Sequence, residues 1–241
     1  MIDLHNHLLP GIDDGARTVA DAIELLRIAA SDGITRMVMT PHIQPGRYNN
    51  NVQTIKASFG LLTQAVKQTD LTIELGMAAE VHLDPQIISM LENEQIPFLG
   101  EEDGFKIMLL ELPHHQVPPG TEQLIAYLMK QNIRPMIAHP ERNRAIMEDI
   151  DKLHRLRDLG CLVQLTSSSI TGSFGLNIHR TSILMLNQGH VDIIASDSHD
   201  NKYRPPILST ATSLVSALLG EAKAWDLVSG RPGAISESKF H

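Results

Sequence analysis

The sequence has 241 residues, 42% of them hydrophobic, which is enough for one buried core and typical of a single α/β barrel domain. Its formal net charge of −8 gives no basic footprint for a phosphate backbone, which disfavours a polynucleotide substrate but leaves room for a local basic pocket, so we expect no nucleic-acid partner. The one cysteine, Cys161, excludes an internal disulfide, and no apolar run approaches the ~18 residues of a membrane span, so we expect a cytoplasmic protein without membrane insertion.

Short apolar runs alternate with longer stretches of helical period along the chain. This alternation predicts an α/β fold in which repeated βα units surround a parallel sheet. The predicted strands are 2–5, 36–40, 72–75, 106–111, 135–138, 162–165 and 192–196. Each of them ends in a polar cluster.

The first predicted helix shows the pattern of the others. Thr18 is its predicted N-cap, with Asp21 three residues later, and an apolar face follows up to Gly33. The other predicted helices cover 52–67, 122–131, 150–159, 180–188 and 208–220. We expect residues 1–241 to form one domain, with a polar and loose tail after Gly230.

Potential metal ligands stand at the ends of these strands. His5 and His7 follow the first strand, and in an extended chain they project to the same side because the side-chain period is two. Asp14 lies in the turn that follows. The later candidates are His42, Glu80, Glu111, His139, Asp197 and His199. Any one of them alone could be a helix cap or a solvated side chain, but barrel strands direct their carboxyl ends to one face, so the set predicts a shared metal site.

Four longer motifs surround these residues, namely LHNHLLPGIDDGA, TPHIQPGRYNN, AHPERN and SDSHDNKYRPP. The ligand pattern resembles the signature of the polymerase and histidinol phosphatase (PHP) superfamily. Within that superfamily, the longer motifs resemble the tyrosine phosphatases that accompany bacterial capsule and exopolysaccharide gene clusters. The resemblance spans residues 5 to 204.

This resemblance implies a distorted (β/α)7 TIM-like barrel with three divalent metal ions at the carboxyl ends of its strands. Manganese is the ion that the family favours, although imidazoles and carboxylates without a thiolate also suit Mg²⁺, Fe or Zn²⁺. Glu80 is the expected shared ligand. The implied ligands are His5, His7, Asp14, His42, Glu80, Glu111, His139, Asp197 and His199.

The implied reaction is hydrolysis of phosphotyrosine by a metal-activated water. Arg142 and Arg204 are expected to bind the phosphate oxygens, as arginines at matching positions do in the family. Asp197 and His199 are counted with them as catalytic residues. Either could assist the leaving group through a water, but the sequence assigns no general acid. A phenolate, whose conjugate acid has a pKa of ~10, needs little such help. The implied partner is a phosphotyrosine protein, the C-terminal tail of a bacterial tyrosine kinase that controls polysaccharide synthesis.

Three other functions could use the same ligands. A small-molecule phosphatase, such as a histidinol-phosphate phosphatase, differs in what borders the pocket, and the RYNN, HPERN and YRPP stretches favour the tyrosine-phosphatase branch. A non-catalytic PHP module often loses ligands, whereas this chain keeps them. A nuclease is disfavoured by the acidic charge.

Cysteine-dependent phosphatase chemistry is disfavoured by spacing. It needs an arginine six residues after the nucleophile, and that position is Ser167 here, so Cys161 is expected to pack in the core. Arg47 and Tyr48 either contact the substrate or form an exposed pair. Three more histidines lie near the clusters and are expected around the site or on the surface without binding metal: His82, His114 and His115.

Overall fold

Short strands, mostly parallel, form the centre of the fold, which a computed structural model describes over residues 1–240. The strands are β1 (Ile2–Asp3), β2 (Arg36–Met39), β3 (His42–Ile43), β4 (Glu74–Met77), β5 (Glu80–His82), β6 (Gly100–Glu102), β7 (Phe105–Glu111), β8 (Ile133–Ala138), β9 (Leu162–Thr166) and β10 (Ile193–Ala195). They pair in two sheets, one in the order β1-β2-β4 and one in the order β10-β9-β8-β7-β5-β3, with β6 antiparallel to β7. The predicted α/β class with a parallel sheet is confirmed.

Two of the predicted strands are each continued after a short break. β3 follows β2 after Thr40 and Pro41, and β5 follows β4 after Ala78 and Ala79. Pro41 lacks an N–H for the ladder, which favours the first break. The predicted strand 72–75 is placed too early, because the ladder begins at Glu74 opposite Arg36. The sequence pattern did not predict β3, β5 or β6.

β1 and β10 come together beyond their own ends, and within residues 1–240 they are not paired as strands. An isolated parallel bridge joins Asn6 to Ser198. The amide of Asp197 donates to His5 O at 2.7 Å, and the amide of His7 donates to Ser198 O at 2.8 Å. These contacts hold the first and last polar clusters of the chain side by side.

Helices pack on the outside of the strands. They are α1 (Val19–Ser31), α2 (Val52–Val66), α3 (Ile87–Glu92), α4 (Thr121–Lys130), α5 (Arg144–Glu148), α6 (Asp151–Asp158), α7 (Ser167–Ile170), α8 (Leu176–Asn187), α9 (Ser209–Leu219), α10 (Glu221–Trp225) and α11 (Arg231–Ser236). The capping box of α1 is confirmed, with Thr18 Oγ1 accepting from the amide of Asp21 and the Asp21 carboxylate accepting from the amide of Thr18. Within residues 1–240, no helix is long and apolar enough to cross a membrane.

The segment after Gly230 differs from its prediction as a loose tail. It forms α11, whose Ile235 and Ser236 are buried. Gly100 allows this packing, because a Cβ at Gly100 would lie 1.8 Å from Ile235 O. A short pattern of one proline and one isoleucine has too little period to predict a helix, so this segment is ordered by tertiary contacts. His241 lies outside the described residues.

Alternating side chains of the strands divide the core into two parts. In β7, Met108 and Leu110 belong to the larger cluster beneath the helices, while Ile107 and Leu109 belong to a smaller cluster that also includes Leu4. The smaller cluster contains residues of several strands and of α11. The polar clusters follow these strands, so the apolar packing fixes the positions from which the polar side chains project.

Candidate metal centre

The structure brings together all nine predicted ligands, which lie as much as 194 positions apart in the 241-residue chain. They form four overlapping groups, in each of which one donor atom per residue lies within 4.8 Å of the others. The groups are His7-Asp14-His42-His199, His5-His7-Glu80, His5-His139-Asp197 and His42-Glu80-Glu111. Apart from Asp14 and His42, which are partly exposed, these side chains are buried.

Four donor atoms form a compact set at the ends of β1, β5 and β10. His5 Nε2 lies 3.3 Å from both His7 Nε2 and Glu80 Oε2, and 3.4 Å from Asp197 Oδ1. His7 Nε2 lies 3.4 Å from each of the two carboxylate oxygens. Two ligand atoms about 2.1 Å from one tetrahedral ion are about 3.4 Å apart. The spacing therefore fits donors that converge on a cation.

Glu80 is central to a second set. Its Oε1 lies 2.8 Å from His139 Nε2, and its Oε2 lies 3.0 Å from His42 Nδ1. Glu80 Oε2 and His42 Nδ1 are nevertheless buried without a hydrogen-bond partner, because their geometry is not that of a hydrogen bond. Buried polar atoms without a partner are costly unless something else satisfies them. A divalent cation would satisfy both, so these residues fit a metal ion.

Asp14 and His199 lie on the solvent side of the cluster. Asp14 Oδ1 is 3.5 Å from His42 Nε2 and 3.5 Å from His199 Nε2. The rings of His7 and His199 are 4.0 Å apart between centroids. Two imidazoles packed this closely repel each other when both are protonated, which favours the neutral form of His199 beside His7.

Asp13 orients His7, a role that the sequence did not indicate. Asp13 Oδ2 accepts from His7 Nδ1 at 2.8 Å and from the amide of His42 at 3.1 Å, while Oδ1 accepts from the amide of Gly15 at 3.0 Å. A carboxylate at Nδ1 holds the proton on that nitrogen and leaves Nε2 free for a cation. Gly15 is required for this approach, since a Cβ there would lie 1.8 Å from His7 O. The DDG sequence was visible, but adjacent aspartates do not show which one faces the ion.

Gln164 supports His5, which follows β1, and Asp3 supports the neighbouring segment at Ser196. Gln164 Oε1 accepts from His5 Nδ1 at 2.9 Å and from the amide of His139 at 3.2 Å. Asp3 accepts from the amide of Ser196 at 2.9 Å and from its hydroxyl at 2.6 Å. Burial raises the pKa of Asp3 to about 6, against the effect of these hydrogen bonds. The alternation along the strand could have indicated Asp3 as a third inward residue, whereas nothing local indicates Gln164.

Charged groups determine which protonation states the cluster prefers. Burial alone would raise the pKa of Asp197, but His5 and the two arginines Arg204 and Arg142 hold that pKa well below its ordinary value. Burial, together with His7, lowers the pKa of His199 to about 4. Burial also opposes a charge on His5, yet Glu80 and Asp197 outweigh it and raise the pKa of His5. In the absence of a cation, protons on the imidazoles offset the carboxylates, so metal binding releases protons.

The two predicted phosphate-binding arginines meet at one carboxylate oxygen. Arg142 Nη1 and Arg204 Nη2 both donate to Asp197 Oδ2. Both arginines also line a cavity of about 150 Å³ together with Asp14, His199 and Arg47. Each guanidinium has five N–H donors, so both keep donors for an anion in this cavity.

Two of the predicted ligands have unusual backbone conformations. His139 has φ 32° and Asp197 has φ 51°, in the left-handed region that non-glycine residues rarely adopt. Such conformations cost about 1 kcal/mol or more and occur often at functional sites. At both positions the chain leaves a buried strand and turns a ligand into the cluster.

The remaining polar neighbours fall around the cluster. His82 Nδ1 lies 3.0 Å from Glu111 Oε2, and the ring of Tyr48 stacks on that of His42 at 5.3 Å between centroids, with Arg47 on Tyr48. His114 and His115 are exposed. Cys161 is buried, and burial raises the pKa of its thiol to about 12, so it is unsuited to act as a nucleophile.

Comparison with known proteins agrees with this arrangement. The sequence model of the family described as "Capsular polysaccharide synthesis, CpsB/CapC" matches residues 1–237. The chain belongs to the CpsB/CapC family. Tyrosine-protein phosphatase YwqE of Bacillus subtilis is 34% identical to it over 204 residues, which is 85% of this chain and 79% of YwqE. Tyrosine-protein phosphatase CpsB of Streptococcus pneumoniae is 25% identical over 240 residues, which is 98% of each chain.

Solved structures extend the CpsB/CapC comparison to the fold. A structure from a study of B. subtilis YwqE and S. pneumoniae CpsB, described there as metal-dependent tyrosine phosphatases, superposes with a TM-score of 0.91 at 30% identity. It covers 99% of this chain and 95% of the other. A phosphotriesterase homology protein of Escherichia coli has a TM-score of 0.57 at 12% identity, with 97% of both chains covered. The second likeness shows a shared fold and nothing more.

Proposed function

We propose that this chain is a metal-dependent phosphotyrosine-protein phosphatase. The observation that carries the proposal is the convergence of nine imidazole and carboxylate side chains in one cluster. Seven of them line a cavity that Arg142 and Arg204 also line. Membership in the CpsB/CapC family supports it, because relatives of 34% and 25% identity are named tyrosine-protein phosphatases. We propose as ligands the nine residues that the sequence indicated.

Three divalent ions, with manganese as the preferred one, are the proposed cofactors. The four ligand groups overlap at His5, His7, His42 and Glu80, so the number of groups does not give the number of ions. Glu80, with one oxygen near His139 and the other near His42, is the proposed shared ligand. Nitrogen and oxygen donors without thiolate suit manganese, magnesium, iron or zinc. Metal analysis of protein purified without added ions would test both the number and the identity.

Bound divalent ions would lower the pKa of a coordinated water and neutralise phosphate oxygens, so that the water can attack phosphorus. Arg142 and Arg204 would bind the non-bridging phosphate oxygens with the donors that Asp197 leaves unused. Asp197 would keep both guanidiniums in place and also face the cation. With its pKa held well below the ordinary value, Asp197 is a poor proton donor, and a phenolate leaving group needs little protonation.

We further propose a distorted (β/α)7 barrel within one domain. β2 with β3, and β4 with β5, would each count as one barrel strand, because each pair is a single chain segment with a short break. The bridge between Asn6 and Ser198 would close the ring. The proposed substrate is a phosphotyrosine protein, namely the tail of a tyrosine kinase that controls capsule or exopolysaccharide synthesis, and the proposed location is the cytoplasm.

Steady-state kinetics with a panel of phosphate esters tests this function. Metal-loaded protein is assayed with a phosphotyrosine peptide, the same peptide with phosphoserine, 4-nitrophenyl phosphate and histidinol phosphate. We expect the phosphotyrosine peptide to have the highest kcat/KM. A higher value for histidinol phosphate would indicate a small-molecule phosphatase, and metal-loaded protein without activity on any ester would refute the proposal.

A pair of histidine variants tests the ligand set. His42→Ala removes a proposed ligand and is expected to lower kcat/KM about 100-fold or more, together with the bound metal. His154→Ala is the matched control, since His154 lies on α6 beside Asp151 and outside the cluster. Equal activity and metal content in the two variants would contradict the assignment of His42.

A further inference from the structure

A second, larger cavity opens beside the metal centre. Its volume is about 830 Å³, against about 150 Å³ for the cavity with the proposed ligands. His114 and Arg142 line both cavities, so the two are adjacent. The walls of the larger cavity come from the loop after β7, from α5 and from α8. A phosphate ester alone fills only the smaller cavity, which leaves the larger one for other parts of a substrate.

The lining of this second cavity is basic, although the chain as a whole is acidic. Arg142, Arg144 and Arg180 line it, and Glu148 is its one carboxylate, whereas the formal net charge of the protein is −8. Arg144 pairs with Glu148 at 3.0 Å, and both side chains are about two-thirds exposed. Arg180 makes no ion pair within residues 1–240. A cation without a partner beside an anion-binding site is available to an anionic ligand.

Backbone hydrogen bonds connect the lining of the larger cavity to the segments that follow β7 and β8. The amide of Arg144 donates to His114 O at 2.8 Å, and the amide of Arg142 donates to His139 O at 3.0 Å. Asn143 Nδ2 donates to Pro113 O at 2.8 Å. Arg142, Asn143 and Arg144 are consecutive, so one short segment connects the phosphate-binding arginine to the basic wall. Because Arg142 lines both cavities, an extended peptide whose phosphotyrosine lies at the metal centre would continue along this wall.

We propose that the cavity lined by Arg144 and Arg180 binds an anionic side chain that flanks the phosphotyrosine in the substrate. This inference rests on the proposed function and adds the class of substrate, which is an acidic or multiply phosphorylated peptide. Met147 and Ile178 line the same cavity and supply apolar surface for the stem or ring of that side chain. A carboxylate and a second phosphate share the chemistry that arginine recognises, so the substrate panel must contain both.

Four phosphotyrosine peptides of equal length provide the test. They carry, within four residues of the phosphotyrosine, either glutamates, a second phosphotyrosine, neutral residues or lysines. We expect kcat/KM to be about tenfold higher for the two anionic peptides than for the neutral one at low salt, and the difference to shrink at 0.5 M NaCl because salt screens exposed charges. The larger of the two anionic effects identifies the source of the negative charge.

Charge variants localise the effect. Arg180→Glu is expected to lower kcat/KM for the anionic peptides about tenfold and to raise it for the lysine peptide, while Glu148→Gln frees Arg144 and strengthens the anionic preference. Arg155→Ala is the control, because Arg155 is an exposed arginine on α6 that pairs with Glu122 away from the cavity. Activity on 4-nitrophenyl phosphate should stay unchanged in all three variants.

Two outcomes are distinguishable from failure of the proposed function. If wild-type protein hydrolyses all four peptides with equal kcat/KM, the anion site is refuted, while the phosphatase activity stands. If Arg180→Glu lowers turnover of the neutral and anionic peptides equally, the role of Arg180 is structural and the proposal is also refuted. Absence of activity on every peptide and on 4-nitrophenyl phosphate would instead refute the phosphatase assignment.

Discussion

Replacement of Asp13 by asparagine isolates the support of one histidine without removing a proposed ligand. Asp13 accepts three hydrogen bonds, from His7 Nδ1 and from the amides of His42 and Gly15. An asparagine amide would place its NH2 group against one of these donors. If it faces His7 Nδ1, that nitrogen must become the acceptor and the proton moves to Nε2, which can then no longer bind a cation.

The size of the effect follows from this contact. The bond from His7 to Asp13 is buried and charge-assisted, and loss of such a support typically lowers metal affinity 10-fold to 100-fold. This corresponds to about 1.4 to 2.7 kcal/mol. The variant should therefore need more metal for half-maximal activity, and excess metal should restore part of kcat/KM.

Metal titration followed by both activity and calorimetry measures this change. Asp70→Asn is the control, because Asp70 is exposed and pairs with Arg27 on the protein surface. Thermal unfolding of the metal-free proteins separates a change of affinity from a loss of fold. An Asp13→Asn variant that binds metal as tightly as the wild type would refute the proposed orientation of His7.

Three further predictions follow from the same site. The pKa of Asp3 is raised from 3.8 to about 6, so the protonated carboxyl group stabilises the folded protein. This contribution to the free energy of unfolding is about 3 kcal/mol at most; it is fully present below pH 3.8 and is lost as pH rises through 6. Urea unfolding from pH 4 to 7 should show the loss in the wild type but not in Asp3→Asn. Arg142→Ala should lower kcat/KM for the phosphotyrosine peptide about 100-fold with unchanged metal content. Arg142→Lys should retain only part of the wild-type kcat/KM, because lysine cannot bind phosphate in a bidentate way. An unchanged kcat/KM in Arg142→Ala would exclude a phosphate contact. Cys161→Ala should keep full kcat/KM. Thiol reagents should not inactivate the native wild type, because the thiol is buried and burial raises its pKa to about 12. Inactivation of the wild type but not of the variant would show that the Cys161 thiol is reactive.

Several local features of the fold follow from the sequence alone. The capping box at Thr18 and Asp21 depends on residues three positions apart, and the structure forms it as predicted. The strands 106–111 and 162–165 are long apolar runs, and they appear as β7 and β9 with shifts of one residue. The short strands β3 and β5 were missed, because two or three residues give no detectable period.

The residue types at the site were also visible in the sequence. Imidazoles and carboxylates stand where apolar strands end, and the strand period already placed His5 and His7 on the same side. From these residues alone the sequence predicted a metal-binding α/β protein that does not use cysteine chemistry. The sequence could not determine which of two adjacent aspartates faces the other predicted ligands and which one orients His7, because Asp13 and Asp14 are chemically identical.

Only the tertiary structure decided how these groups meet. Glu80, which begins β5, joins His42, which begins β3, to His139, which follows β8. Gln164 reaches back to His5 over 159 positions of sequence. The same packing placed Arg144 and Arg180 on one wall, although they lie on different helices. The physical reason is that local sequence controls the backbone period and caps, whereas distances between distant side chains depend on how the strands and helices pack together.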